Sequence, residues 1–267
     1  MTKTILITGA TDGIGFETAK RLAAEGHNVL IHGRKEQKLA DTRATLSALG
    51  GTGTVETYRA DLSSLSEVEH LAREVADRHT ALDVLINNAG VFKLPGQPAG
   101  GLDQRIIVNA VAPYLLTKRL LPLFSATGRI VNLSSAAQMP VTEGALDGHA
   151  RMNDNEAYAQ SKLALTMWSV DLAKRLGQRG PAIIAVNPAS FLASKMVKDA
   201  YGVAGNDLGI GADILVRAAL RDEFANASGR YFDNDRGEFA SPHPDALNDA
   251  KNAMITEAME SIISSSS

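Results

Sequence analysis

Apolar residues recur along this chain in two rhythms. Short runs at residues 4–8, 28–32, 54–58, 84–87, 129–133 and 182–186 are almost continuously aliphatic or β-branched. That is the pattern of strands buried on both faces of a parallel sheet. The stretches between them follow a helical period instead. In residues 16–25, Phe16, Ala19, Leu22 and Ala23 share one face while Glu17, Lys20 and Arg21 lie opposite. Residues 66–78 and 158–175 read the same way. Strand and helix alternate throughout, which predicts an α/β fold: a doubly wound central parallel sheet with helices on both faces and right-handed crossovers.

No internal repeat or linker divides the chain, so residues 1–267 are expected to form a single domain. Two stretches lack a sustained period. Residues 92–101 hold two prolines and three glycines, and residues 136–155 are rich in Gly, Asp and Asn. Loops of such length in a compact α/β domain are usually functional. Residues 136–155 and 188–208 are therefore expected to border a substrate. Residues 233–267 read as a C-terminal tail, with serines 264–267 as a frayed end.

Composition narrows the chemistry. Apolar residues make up 45% and charged residues 21%, an ordinary globular balance that excludes a disordered chain. A net charge of −3 offers no electrostatic footprint for nucleic acid or an anionic membrane. The chain has no cysteine, which removes disulfides, thiolate nucleophiles and Cys-based zinc sites. Lys3 followed by Ile5, Leu6 and Ile7 is too short for a signal-peptide core. Gly, Pro or Asn interrupt the longer uncharged stretches before they reach membrane-spanning length. The expectation is a cytoplasmic protein without a membrane anchor.

Directly after the first strand run comes Thr8-Gly9-Ala10-Thr11-Asp12-Gly13-Ile14-Gly15, which opens the first helix. Glycines let the backbone turn tightly and approach a pyrophosphate, and the helix N-terminus adds free N–H groups and a positive dipole end. The strand before and the helix after are the context of a dinucleotide site, and the Gly-Lys-Ser/Thr ending of an ATP loop is missing. Beyond the second strand run stands His32-Gly33-Arg34-Lys35, with no carboxylate before Glu36. An acidic residue there would hold a ribose 2′-hydroxyl, whereas the Arg34 fork suits a 2′-phosphate. NADP(H) is thus favoured over NAD(H). Tyr158 and Lys162, four apart on a helical pattern, share a face. A cation beside a phenol lowers its pKa toward general acid/base use.

Together these motifs resemble the short-chain dehydrogenase/reductase family. The cofactor turn at residues 8–15, Asn87-Asn88-Ala89-Gly90, Asn109, Ser134-Ser135 and Tyr158-x-x-x-Lys162 occur in that family's order. The long interval between Ser135 and Tyr158 and the Ala157-Tyr158-x-Gln160-Ser161-Lys162-Leu163 context are similar to its retinol dehydrogenase-like branch, whose members act on apolar alcohols and carbonyls and are often membrane-anchored. The resemblance implies a Rossmann-type domain and an NADP(H)-dependent oxidoreductase interconverting an alcohol and a carbonyl of a small or apolar molecule. Tyr158 would move the proton, Lys162 would hold the nicotinamide ribose, and Ser135 rather than Ser134 would bond the substrate oxygen. Asn109 would anchor a water leading from Lys162. Gly9, Thr11, Asp12, Gly13, Ile14, Gly15 and Arg34 would hold the phosphates. Asp61 and Leu62 would face the adenine, Asn88, Ala89 and Gly90 its ribose, and Pro188 the nicotinamide.

Alternatives remain open at this point. Asp61 also reads as a helix N-cap, and Asn109 as a kink residue near Pro113. The same cofactor pocket would serve reduction of an activated C=C bond, or a redox sensor that binds dinucleotide without turnover. Pro188-Ala189 replaces the family's usual Pro-Gly, which puts the shape of the nicotinamide-side loop in question. Phe191, Met196 and Tyr201 are candidates for a lid over an apolar substrate. The resemblance further implies a homodimer or homotetramer packed through helices that carry Leu115, Leu116, Leu120, Leu163 and Leu165, whose apolar faces fit equally well against the sheet.

Overall fold

A computed structural model describes residues 1–94, 101–190, 192 and 206–265. Eight strands form one sheet: β1 (Thr4–Ile7), β2 (Asn28–Gly33), β3 (Val55–Arg59), β4 (Leu82–Asn87), β5 (Phe124–Leu133), β6 (Ala182–Asn187), β7 (Tyr231–Asp233) and β8 (Glu238–Ala240). Their spatial order is β3-β2-β1-β4-β5-β6-β7-β8, and all neighbours are parallel except the β7–β8 hairpin. The chain reverses direction across the sheet between β1 and β4. In such sheets ligands bind in the crevice outside the strand C-termini at that switch point.

The helices, in chain order, are α1 (Gly13–Ala24), α2 (Glu36–Ser47), α3 (Leu65–Arg78), α4 (Gln104–Ile106), α5 (Ala112–Leu120), α6 (Glu143–Asp147), α7 (Asp154–Leu176), α8 (Leu208–Leu220) and α9 (Asp249–Ser265). A π-helical turn, Ile107–Val111, joins α4 to α5. The continuous strand runs make sense because alternate side chains feed two separate cores. Ile5, Ile7, Val29, Ile31 and Ile184 point to one face, against α1, α2 and α8. Leu6, Leu30, Leu85, Ile130 and Ile183 point to the other, against α3, α5 and α7, with α9 packed outside α7. A buried polar chain pins the second layer to the sheet. Asn87 Nδ2 donates to Thr117 Oγ1 (3.0 Å) and to Asn132 Oδ1 (2.8 Å), and Asn132 Nδ2 donates to Ser169 Oγ (2.8 Å).

Several expectations need correction. The tail from residue 233 is ordered structure: β8, then α9, whose Glu260 accepts from Tyr114 Oη (2.5 Å) and Lys118 Nζ (2.7 Å) on α5. The unpatterned stretch 136–155 contains α6 and the start of α7. The run Gln104–Leu123, although it holds Arg105, Lys118 and Arg119 and so is not one of the uncharged stretches, is by length and composition apolar enough to cross a membrane. Two thirds of its most apolar window is buried inside the fold, where α3 and α7 pack on it. Leu115, Leu116, Leu120, Leu163 and Leu165 are all buried within the chain. Met167, Trp168 and Leu172 are core residues, as their helical spacing suggests.

Candidate active site

The glycine turn lies at the switch point. Gly9 has φ +66°, and a Cβ there would come within 3.0 Å of the Ala89 backbone, so only glycine fits without strain. A Cβ on Gly15 would drive into the Asn88 amide. The turn is tied to the exit of β4: Asn88 Nδ2 donates to the Thr8 carbonyl (2.8 Å) and Gly9 carbonyl (3.1 Å), and Ala89 N donates to Thr8 Oγ1 (3.0 Å). Asp12 caps α1 by accepting from Gly13 N (2.9 Å) and pairs with Lys38 of α2 (3.0 Å). Thr11 packs on Gly33, which brings the turn alongside exposed Arg34.

One staple in this region escaped the sequence reading. Buried His32 accepts from Gly9 N at Nδ1 (3.2 Å), and its Nε2 lies 3.0 Å from the Ala60 carbonyl. A carbonyl can only accept, so the imidazole is the neutral Nε2–H tautomer. Burial agrees, holding its pKa down at about 4. Next to Ala60, Asp61 is not an N-cap. Ser64 caps α3, while the Asp61 carboxylate accepts from Ser63 N (2.9 Å) and Ser63 Oγ (2.8 Å). Burial alone would raise its pKa, but the Ser63 donors and Arg34 outweigh that and lower it. The Leu62 side chain lies in the core, so only its backbone can face a nucleotide.

The reacting end is one connected cluster. A capping box between Asn153 and Glu156 starts α7 immediately before Tyr158. Lys162, one turn on, is buried, and its Nζ donates to the Leu133 carbonyl at the end of β5 (2.7 Å). Among the described residues no carboxylate pairs with it, and burial lowers its pKa to about 8. Its Nζ stands 5.6 Å from the centre of the Tyr158 ring, which is half-buried and meets Phe92 edge-on at 4.8 Å. An ammonium with spare donors beside a phenol, at the C-terminal end of β5, fits a ribose and its hydroxyls.

Ser134 is buried and spent internally on Thr166 Oγ1 (2.7 Å). Ser135 is half-buried, and its Oγ accepts from Ala137 N (3.1 Å). Its carbonyl is held by Tyr231 Oη (3.1 Å) and Gln138 Nε2 (2.9 Å). Asn109 sits in the π-turn, and both of its amide protons are committed. Oδ1 accepts from Val91 N (2.8 Å), while Nδ2 donates to the Val91 carbonyl (2.9 Å) and Ser161 Oγ (2.9 Å). Ser161 Oγ in turn donates to the Tyr158 carbonyl (2.7 Å). Asn109 thus sits at the kink and also ties the β4 exit to α7; its Nδ2 has no proton left for a water, while Oδ1 keeps one lone pair.

Sequence reasoning also missed Arg105. Fully buried, it grips Asp103 with Nε (2.8 Å) and Nη2 (2.6 Å), donates to the Phe92 carbonyl (3.3 Å) and bonds Asp154 of α7. It thereby locks the β4 exit loop to the helix carrying Tyr158. Behind Pro188, Ala189 has φ +115°. The lid candidates Phe191, Met196 and Tyr201 lie outside the described residues.

Comparison with known proteins agrees with this arrangement. The sequence model of the short chain dehydrogenase family matches residues 3–202. Human retinol dehydrogenase 13 is 30% identical over 260 residues, covering 90% of this chain and 78% of that protein. A crystal structure of an uncharacterized protein from Mycobacterium paratuberculosis superposes with a TM-score of 0.80 at 27% identity, over 98% of this chain and 93% of that one. A short chain dehydrogenase from Burkholderia cenocepacia, solved in complex with NADP, gives a TM-score of 0.69 at 27% identity, over 86% and 95%. Fold, switch-point crevice and family match converge, and the chain belongs to the short-chain dehydrogenase/reductase family, whose enzymes bind a nicotinamide dinucleotide and act on small molecules.

Proposed function

We propose that this single-domain chain is an NADP(H)-dependent oxidoreductase that interconverts an alcohol and a carbonyl on a small or apolar molecule. The observation that carries the reading is the buried Lys162 ammonium, with no carboxylate partner among the described residues, one helical turn from half-buried Tyr158. The dinucleotide, when bound, supplies or accepts the hydride. Tyr158 gives its phenol proton to the carbonyl oxygen in reduction and takes it back in oxidation. Lys162 holds the nicotinamide ribose and favours the phenolate. Ser135, whose hydroxyl is the accessible one of the pair, donates to the same substrate oxygen. Asn109 anchors a water leading from Lys162, and a side-chain bond to that water runs to the second lone pair of Oδ1, since both Nδ2 protons are used.

Arg34 is assigned to the 2′-phosphate. The absence of a carboxylate before Glu36 supports this, as does the NADP complex of the Burkholderia relative. The turn at residues 9–15 takes the pyrophosphate, the backbone around Asp61 and Leu62 the adenine, residues 88–90 its ribose, and Pro188 the nicotinamide side. An apolar substrate is consistent with the retinol dehydrogenase relative. Self-association into a homodimer or homotetramer belongs to the same proposal, through a face other than the Leu115–Leu165 seam, which is buried within the chain. A monomer mass by light scattering removes it. A cytoplasmic location completes the reading, and recovery in a membrane fraction would overturn it.

Replacing Tyr158 with Phe tests the core of the proposal. Turnover of apolar aldehydes and ketones should fall by roughly 10²-fold or more, while NADPH binding followed by intrinsic fluorescence stays unchanged. A variant with full turnover sinks the general-acid role. Arg34→Ala should weaken NADPH binding and leave NADH binding alone; equal losses would refute the 2′-phosphate assignment.

A further inference from the structure

Beyond the core site, the turn between β7 and β8 reaches back over the chain leaving β6. Buried Asn187 donates through Nδ2 to both Asp233 Oδ1 and Asp235 Oδ2, each at 2.9 Å. The Pro188 carbonyl accepts from Asn234 Nδ2 (3.0 Å). Ser190 donates twice to the Asp235 carboxylate, from N to Oδ1 (2.8 Å) and from Oγ to Oδ2 (2.6 Å). Asn234 N donates to the Asn187 carbonyl (3.1 Å), and Gly237, at φ +72°, closes the turn by donating to the Asp233 carbonyl (2.8 Å).

Between these gripped residues stands Ala189, with φ +115°. An L-residue rarely adopts that conformation and persists in it only where the surroundings over-determine it. Here they do, since both flanking peptides are held by the β7–β8 turn. We propose that Asp235, assisted by Asn234, is a positioning residue. It clamps residues 187–190 in the shape that the nicotinamide side of the site requires, in a chain that carries alanine where glycine would take the same shape unaided. The clamp acts through the loop and touches no reacting atom. It rests on the reading that Pro188 borders the nicotinamide.

The carboxylate is suited to the task. Burial would raise its pKa, but the Ser190 and Asn187 donors lower it below the usual aspartate value. The clamp therefore stays charged across the neutral range, and acid strong enough to protonate it would open the loop.

The test uses the full chain and two probes: NADPH, and adenosine 2′,5′-bisphosphate, which lacks the nicotinamide. Wild-type binding of both establishes the underlying reading, and binding of neither overturns that reading and the clamp together. With the reading established, Asp235→Ala should weaken NADPH about tenfold if the clamped conformer falls to a tenth of the population. The bisphosphate should bind as before. Adding Ala189→Gly to Asp235→Ala should restore NADPH affinity, because glycine takes positive φ without help. A merely structural Asp235 would weaken both probes equally and gain nothing from the glycine. Unchanged NADPH affinity in Asp235→Ala, equal loss of both probes, or failure of the rescue would each refute the clamp.

Discussion

Lys162→Met tests whether the ammonium is held in the site at a cost to the fold. In the folded chain burial holds the Lys162 pKa at about 8, against 10.5 for an exposed lysine. At about 1.4 kcal/mol per tenfold, that difference is about 3 kcal/mol of unfavourable charge burial at pH 7. Methionine keeps the stem and removes the charge, but leaves the Leu133 carbonyl without its 2.7 Å donor, a loss of about 1–3 kcal/mol. The two nearly cancel, so the variant should range from equally stable to about 2 kcal/mol more stable at pH 7, while losing turnover.

The pH dependence carries the stronger test. Between pH 8 and 10.5 the unfolded chain keeps the lysine proton that the folded chain has released, so wild-type stability rises with pH over that window. The variant has no such slope. Its advantage should shrink by about 2–3 kcal/mol from pH 7 to pH 10, read as urea midpoints without dinucleotide and with Tyr158→Phe in both chains, so that the phenol coupled to Lys162 does not titrate. Buried Tyr58, Tyr114 and Tyr231, whose pKa values are raised mainly by burial, titrate in both proteins and drop out of the difference. A stability difference that is flat with pH would refute the desolvated-ammonium reasoning. So would a large loss in the variant at pH 7.

Three further outcomes follow from the same structure. Ala189→Gly alone should relieve positive-φ strain of about 1–3 kcal/mol, offset in part by the greater freedom of unfolded glycine; the melting temperature should rise by a few degrees, and a fall would mean that the residue is unstrained. Arg105→Met removes the buried guanidinium that joins Asp103, Asp154 and the Phe92 carbonyl and should cost about 3 kcal/mol in urea unfolding; a loss below about 1 kcal/mol would show that the cluster is not a structural lock. His32, with a folded pKa of about 4 against 6.5, should make the protein lose about 2 kcal/mol between pH 7 and 4.5, because the unfolded chain binds a proton that the folded one refuses; His32→Gln should flatten that loss, and an identical acid slope in both would place the sensitivity elsewhere.

The central sheet was legible because its strands are buried on both faces, so runs such as Thr4–Ile7 and Ala182–Asn187 carry almost no polar residue. The Gly9–Gly15 turn and the Tyr158–Lys162 pair were legible because each is a local motif with its spacing written in adjacent residues. Helix α2 was not, since it buries only Leu39, Thr42 and Leu46 and its remaining positions are polar. Strands β7 and β8 are three residues each, too short for a period, and they exist through pairing with β6. The supports of the site share one reason for invisibility. Arg105 meets Asp154 across 49 positions and Asp235 meets Ser190 across 45, so their meaning depends on the topology. The bonding of Asn109 is of the same kind, since Val91 and Ser161 become its neighbours only once β4 and α7 are in place.

The π-turn at Ile107–Val111 also sets a phase. An α-helix advances about 100° per residue, so one residue too many in a turn rotates everything beyond it by about that angle relative to everything before. Arg105, on the near side, aims at Phe92 and Asp154; Tyr114 and Lys118, on the far side, aim at Glu260. Neither set could be satisfied by an unbroken helix carrying the other. A substitution inside the turn leaves that angular offset intact, whereas deletion of one residue from it removes the offset. Such a deletion forces the chain to choose between the Arg105 contacts and those of its C-terminal helix. Away from Asn109, this short segment should therefore tolerate exchange of side chains far better than any change in length.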